Sequence, residues 1–282
     1  WPMPLLRIGH SPDADDAFMF YALSRGHVTI PGFRTENVLA DIETLNARAI
    51  EGDLEVTALS AAAYPRVAQR YRLLRTGASV GRGYGPVLIS ARPLSPAELA
   101  RGPIAIPGWL TTAFLLTMLY LEPLRESPRL AVALPFDRIA EAVLKDEVVA
   151  GLLIHEGQIT YGEVGFHKVL DLGELWQQET GLPLPLGVNA VRRDLGEEVA
   201  AAVSRGLRQS IDYALAHEED ALSYALEFGR GIDREVCRRF VRMYVNEDTQ
   251  DLGEEGLAAL EALYRRALEH RLITAMPPLD VI

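Results

Sequence analysis

The run Val148-Val149-Ala150-Gly151-Leu152-Leu153-Ile154 constrains this chain more than any other stretch. It is uncharged and rich in Val, Leu and Ile, which reads as a strand buried on both faces in a sheet covered by helices. The run stops abruptly at His155-Glu156-Gly157-Gln158. In open α/β sheets, ligands bind outside the carboxyl ends of the strands. His155 therefore stands where a reacting group would be placed, and His is the side chain most often used to move protons near neutral pH. A histidine that only caps the strand and bonds to backbone would occupy the same position.

The bulk properties narrow the classes of function. The chain has 282 residues, comfortable for two units, and 49% of them are hydrophobic, ample for real cores. A net charge of -11 argues against nucleic acid, which needs clustered Lys and Arg. It does not exclude a small anion, which responds to local donors. The single cysteine, Cys237, excludes an intramolecular disulfide and any multi-cysteine metal site. No His pair has metal-ligand spacing, so no metal is expected. The start, Trp1 to Arg7, has no basic segment followed by a long apolar one, so no export signal is expected. No apolar run reaches the roughly 18 residues of a membrane span.

The chain opens with a strand, Leu5 to His10. Ser11-Pro12-Asp13-Ala14-Asp15-Asp16 leads into a helix through Leu23. Helix-dipole complementarity is enough to explain these acids, which leaves Ser11 as the expected ligand contact. A second helix opens at Asp41-Ile42-Glu43-Thr44-Leu45-Asn46. The strand Leu54 to Ser60 follows, with Ser60 again at a carboxyl end and small residues after it. Gly81-Arg82-Gly83-Tyr84-Gly85-Pro86 has neither the GK[ST] nor the Rossmann spacing of a phosphate loop, so it reads as a tight turn into a crossing strand, with Arg82 able to face an anion. Ile104 to Ile106 is a strand. Thr111-Thr112-Ala113 begins an apolar helix whose free N–H groups and hydroxyls suit an anion or simple capping. Asp137 to Leu144 reads as a helix with Phe136, Ile139 and Val143 inward. Val169 to Leu172 reads as a strand, and Trp176 to Thr180 as a short helix. From Asp194 onward the pattern is helical, with Val199, Val203, Leu207, Ile211 and Leu215 as an inward stripe.

These elements give an α/β fold of two lobes: residues 1–90 as the first, 91–187 as the second with His155, and 188–282 as a return to the first with C-terminal helices. Two hinge crossings, near Pro86–Arg92 and Leu184–Val191, make a clamshell whose strand ends face one cleft. Ser11, Ser60, Thr111, Thr112 and His155 are expected to converge there, with Glu156 beside the histidine. Such a cleft could carry a ligand or convert it.

A resemblance adds to this reading. Asp41 to Asn46, Leu59-Ser60, Gly81 to Pro86, Thr111-Thr112-Ala113, Ile154-His155-Glu156, Thr180 to Gly187 and Tyr213-Ala214-Leu215, in this order and spacing, are similar to the 1,4-dihydroxy-6-naphthoate synthases of the futalosine route to menaquinone. The resemblance implies the fold of type II periplasmic binding proteins in a cytoplasmic lyase without a cofactor, acting on a small anionic substrate, cyclic dehypoxanthinyl futalosine. It implies His155 as catalytic base and substrate contacts at Ala58, Leu59, Ser60, Thr112 and Ala113. Many members read Ser-Pro-Cys-Pro-Asn-Asp where this chain has Ser11-Pro12-Asp13-Ala14-Asp15-Asp16, so no role passes to Asp13 or Asp15. A non-catalytic small-acid binding protein and the related chorismate dehydratase share the fold and remain the alternatives.

Overall fold

A computed structural model describes residues 3–282. Among these residues the strands form two sheets. The first contains β1 (Leu5–His10), β2 (Arg34–Leu39), β3 (Val56–Ser60), β4 (Tyr71–Leu73), β5 (Ser79–Gly81) and β11 (Leu184–Arg192). Its order is β2-β1-β3-β11-β4, with β5 also paired to β11. The second contains β6 (Val87–Ser90), β7 (Ile104–Ile106), β8 (Ala131–Ala133), β9 (Ala150–Leu153) and β10 (His167–Asp171), in the order β10-β6-β9-β7-β8.

Within each sheet the strands that lead into the site run parallel: β1 with β2 and β3, and β7 with β8 and β9. Their carboxyl ends therefore share one edge. β3 and β9 are wholly buried, as continuous apolar runs require.

The chain passes between the sheets at residues 82–86 and 172–183. The segments expected to cross, Pro86–Arg92 and Leu184–Val191, instead lie largely within β6 and β11. The glycines of the first passage have a steric reason. A Cβ on Gly81 would sit 2.0 Å from the Tyr84 carbonyl oxygen, and Gly83 has φ +79. A Cβ on Gly173, in the second passage, would sit 2.0 Å from the Tyr84 carbonyl carbon, so the two passages pack backbone to backbone.

The helix Leu172–Thr180 starts earlier than its apolar pattern suggests because Asp171 caps it, accepting from Glu174 N–H at 3.0 Å. The first helix, Ala14–Ser24, is buried against Glu197–Ala216, Glu218–Leu226 and Arg234–Tyr244. The stripe of Glu197–Ala216 points inward at Val203, Leu207 and Ile211, but Leu215 near its end is exposed. The last helix, Gly253–Glu269, packs on the first sheet and on the second passage: Tyr264 donates to the Ala61 carbonyl (2.8 Å), and Arg266 pairs with Glu179.

Candidate active site

A cleft of about 710 Å³ opens at the shared carboxyl edge of the parallel strands, with the middle of β11 as its floor. Ser11, Ala58, Leu59, Ser60, Thr111, Thr112, Ala113 and His155 all line it. Ile42, Ile154, Leu186, Val188 and Phe240 supply apolar walls. Among the described lining residues the titratable ones are Asp13, Asp15, Asp16, His155 and Tyr244; no Lys or Arg is there.

His155 follows the end of β9 after one residue, Ile154, and has φ +57, left-handed backbone that costs a non-glycine residue about 1–2 kcal/mol. Neighbours hold it there. The Gln158 amide, oriented so that both of its ends are satisfied, accepts from His155 N–H at 3.1 Å and donates to the Gly85 carbonyl at 2.9 Å and to the Tyr244 hydroxyl. The Phe136 ring meets the imidazole edge to face at 4.8 Å. Phe136 is expected from its pattern to point into the core; it is half-buried against His155 instead, with the Arg230 guanidinium over its ring at 4.2 Å.

The partner of His155 is Asp13, which comes from the other sheet: imidazole Nδ1 and carboxylate Oδ2 are 3.0 Å apart. Asp13 also caps the first helix, accepting from Asp16 N–H at 3.2 Å and from the Ser11 hydroxyl. Burial alone would raise its pKa. The neighbouring His155 imidazole, the Asp15 side chain and these hydrogen bonds outweigh that and hold the carboxyl below its usual range. Ser11, expected as a ligand contact, thus spends its hydroxyl proton on Asp13, while its N–H donates to Asp16 at 2.8 Å. Asp15 and Asp16 are both pushed well above the ordinary carboxyl value, first by burial and then by the charge of Asp13.

Glu156, beside the histidine in sequence, turns away to Arg230 (3.0 Å), which also donates to the Pro12 carbonyl (3.0 Å). Arg82 leaves the cleft as well, forking onto Asp248 (2.8 and 2.7 Å) and reaching Glu255 (2.8 Å).

The other side of the cleft is lined by neutral polar groups. Thr111 caps the helix Thr112–Tyr120, accepting from Phe114 N–H at 3.2 Å. The N–H groups of Thr112 and Ala113 precede the first intrahelical bond, and both residues line the cleft. The Thr112 hydroxyl itself joins the two halves, donating to the Leu186 carbonyl (2.7 Å) and accepting from Ala62 N–H (3.1 Å). Ser60 is gripped by Asn46, whose amide donates to its hydroxyl and accepts its N–H, both at 2.9 Å, so the hydroxyl proton is free for a ligand. Asn189 also lines the cleft, with a buried Oδ1 that has no partner among the described residues.

Reasoning from the sequence missed Asp13, Asp15, Asn46 and Asn189 as members of this site. The density of acids at the first strand end, greater than a helix dipole needs, was the available signal. A metal could be held only by Asp13, Asp15 and His155 among the described residues, whose ligand atoms lie within 4.8 Å of one another.

Comparison with known proteins fits this geometry. Residues 6–269 match a family described as menaquinone biosynthesis. The chain is 44% identical over 276 residues, 98% of each chain, to a 1,4-dihydroxy-6-naphthoate synthase of Thermus thermophilus. A crystal structure of a protein from Archaeoglobus fulgidus is 48% identical, with a TM-score of 0.89 over 95% of this chain and 98% of that one. At the level of fold alone, the alkanesulfonate-binding protein of Xanthomonas axonopodis superposes with a TM-score of 0.73 over 99% of this chain and 98% of its own, at 15% identity.

Proposed function

The chain belongs to the menaquinone-biosynthesis family, and we propose that it cleaves cyclic dehypoxanthinyl futalosine to 1,4-dihydroxy-6-naphthoate with His155 as the proton acceptor. Membership makes it an enzyme, of the 1,4-dihydroxy-6-naphthoate synthase type. The observation that carries the role of His155 is its 3.0 Å contact with Asp13. A carboxylate on Nδ1 favours the tautomer with Nδ1–H donating and the lone pair on Nε2, which makes Nε2 the base.

Formation of an aromatic naphthoate calls for a proton to be removed from carbon beside a carbonyl. The C–H pair forms a C=C bond and the carbonyl oxygen takes the charge. Aromatisation drives loss of the sugar-derived fragment. A cofactor is not required for these steps. The helix-start N–H groups of Thr112 and Ala113, with the Ser60 hydroxyl, hold the substrate carboxylate without a cationic side chain. Leu59 and Ala58 keep the backbone close enough for this contact.

The two sheets are read as lobes that hinge at the passages between them. The Asp13–His155, Thr112–Leu186 and Arg230–Glu156 contacts then form on closure, which completes the base only around bound substrate. No helix among the described residues is long and apolar enough to cross a membrane, and the reading places the enzyme in the cytoplasm. The test is turnover of cyclic dehypoxanthinyl futalosine, with naphthoate detected by mass. Turnover of chorismate in its place would reassign the protein to the dehydratase branch.

A further inference from the structure

The turn after β1 packs three carboxyl groups, Asp13, Asp15 and Asp16, into the wall of a cleft that this reading assigns to an anionic substrate. Three buried carboxylates at such spacing cannot all be charged. Their partners rank them. Asp13 has the Ser11 hydroxyl, Asp16 N–H and His155. Asp16 has Ser11 N–H at 2.8 Å. Asp15 accepts from the Ser79 hydroxyl at 3.3 Å and, as an acid, hydrogen-bonds the Asp13 carboxylate, an arrangement that favours its protonated form; its Oδ1 has no donor among the described residues although the residue is just 7% exposed. It is the group with least support for negative charge, beside a cleft without Lys or Arg among its described lining residues. An oxygen of Asp15, an oxygen of Asp13 and a ring nitrogen of His155 lie within 4.8 Å of one another.

We propose that Asp15 is the general acid of the reaction: it enters as a carboxylic acid and gives its proton to the substrate carbonyl oxygen while His155 takes the proton from the neighbouring carbon. This rests on the function proposed above. The C–H bond breaks towards Nε2, its electron pair forms the C=C bond, and the carbonyl π pair takes the Asp15 proton as a new O–H bond. Asp15 is left as carboxylate and His155 as imidazolium, with nothing oxidised or reduced. After product leaves, solvent takes the proton from Nε2 and returns one to Asp15, while Nδ1–H stays on Asp13, so both groups are reset. Burial, then the charges of Asp13 and Asp16, favour the protonated form of Asp15. The other titratable groups facing it are His155 from the loop after β9 and Tyr244 and Cys237 from the helix Arg234–Tyr244.

The experiment follows naphthoate production from cyclic dehypoxanthinyl futalosine across acid to alkaline pH for wild type, Asp15→Asn and His155→Asn, with folding checked by circular dichroism. The proposal expects wild-type kcat to fall as pH rises through the titration of Asp15. It expects Asp15→Asn to fold, to lose on the order of a hundred- to ten-thousand-fold in kcat, and to lose that alkaline limb. An Asp15→Asn enzyme within a few-fold of wild type, with His155→Asn inactive, would remove Asp15 and leave the function standing. A wild-type rate that is flat at alkaline pH would overturn the proposal even if Asp15→Asn failed to fold. Activity abolished by a chelator and restored by a divalent ion would replace it with a metal at Asp13, Asp15 and His155. An inactive wild type would overturn the functional reading and Asp15 with it.

Discussion

His10 and the acids that follow it show how burial sets the chemistry of single residues. His10 is fully buried, stacked on Phe20 at 4.5 Å, and desolvation lowers its pKa to about 4. In the unfolded chain it titrates near 6.5. The unfolded state therefore binds the extra proton first, and stability falls as pH drops from about 6.5 towards 4, by on the order of 3 kcal/mol for this group. His10→Phe should retain the stacking and remove this loss, seen as the difference between the two variants' urea midpoints at each pH. Equal acid sensitivity in both would show that His10 is not responsible. Asp15 works in the opposite sense: its raised pKa gives stability at low pH that disappears as pH rises. Asp15→Asn should therefore raise Tm at neutral pH, and a lowered Tm there would count against a strained buried acid. At this scale His155 was legible because it ends an apolar run. Asp13 was not, because nothing in chain order says that the turns after β1 and β9 meet, and a helix dipole is a sufficient reason for acids after a strand.

Elements were legible where one pattern dominates, as in β3 and β9, and less so where local signals compete. β11 reads as a crossing because Pro183 and Pro185 bracket its start, yet it is the strand between β3 and β4. The register shift between Pro185 and Gly187 against β5 is what accommodates the proline. The glycine loop reads correctly as a turn, but its reason lies in a partner far along the chain, the helix Leu172–Thr180. Gly173→Ala would push a methyl into the Tyr84 backbone, where no side chain can yield. It should cost about 2–3 kcal/mol, measured by denaturant unfolding. A loss within error would mean that the two passages are not locked together. Arg230 ties the His155 loop to the first strand's turn through Glu156, Pro12 and Phe136. Arg230→Ala should lower kcat about ten-fold or more by loosening His155, a misplacement effect of the kind that costs up to a hundred-fold. Stability should change by only about 1 kcal/mol, since the ion pair is part-exposed. Unchanged kcat would remove Arg230 from the support of the base.

The whole molecule places a histidine from one sheet against a carboxylate from the other across a largely apolar cleft, in a chain of net charge -11. The class of fold was readable because alternating strands and helices with a helical return leave few arrangements. The polarity of the cleft was not, since its neutral donors and buried acids come from segments far apart in the chain. On the proposed reading, with an anionic substrate held by backbone N–H groups, binding should depend weakly on salt compared with a cationic site. The most direct measurement is one incubation of wild type and of His155→Ala with cyclic dehypoxanthinyl futalosine, with products read by mass. The account predicts 1,4-dihydroxy-6-naphthoate from wild type and none above background from the folded variant. Naphthoate from both at equal rates would contradict His155 as the base, and tight binding by both without product would contradict the assignment of an enzyme to this cleft.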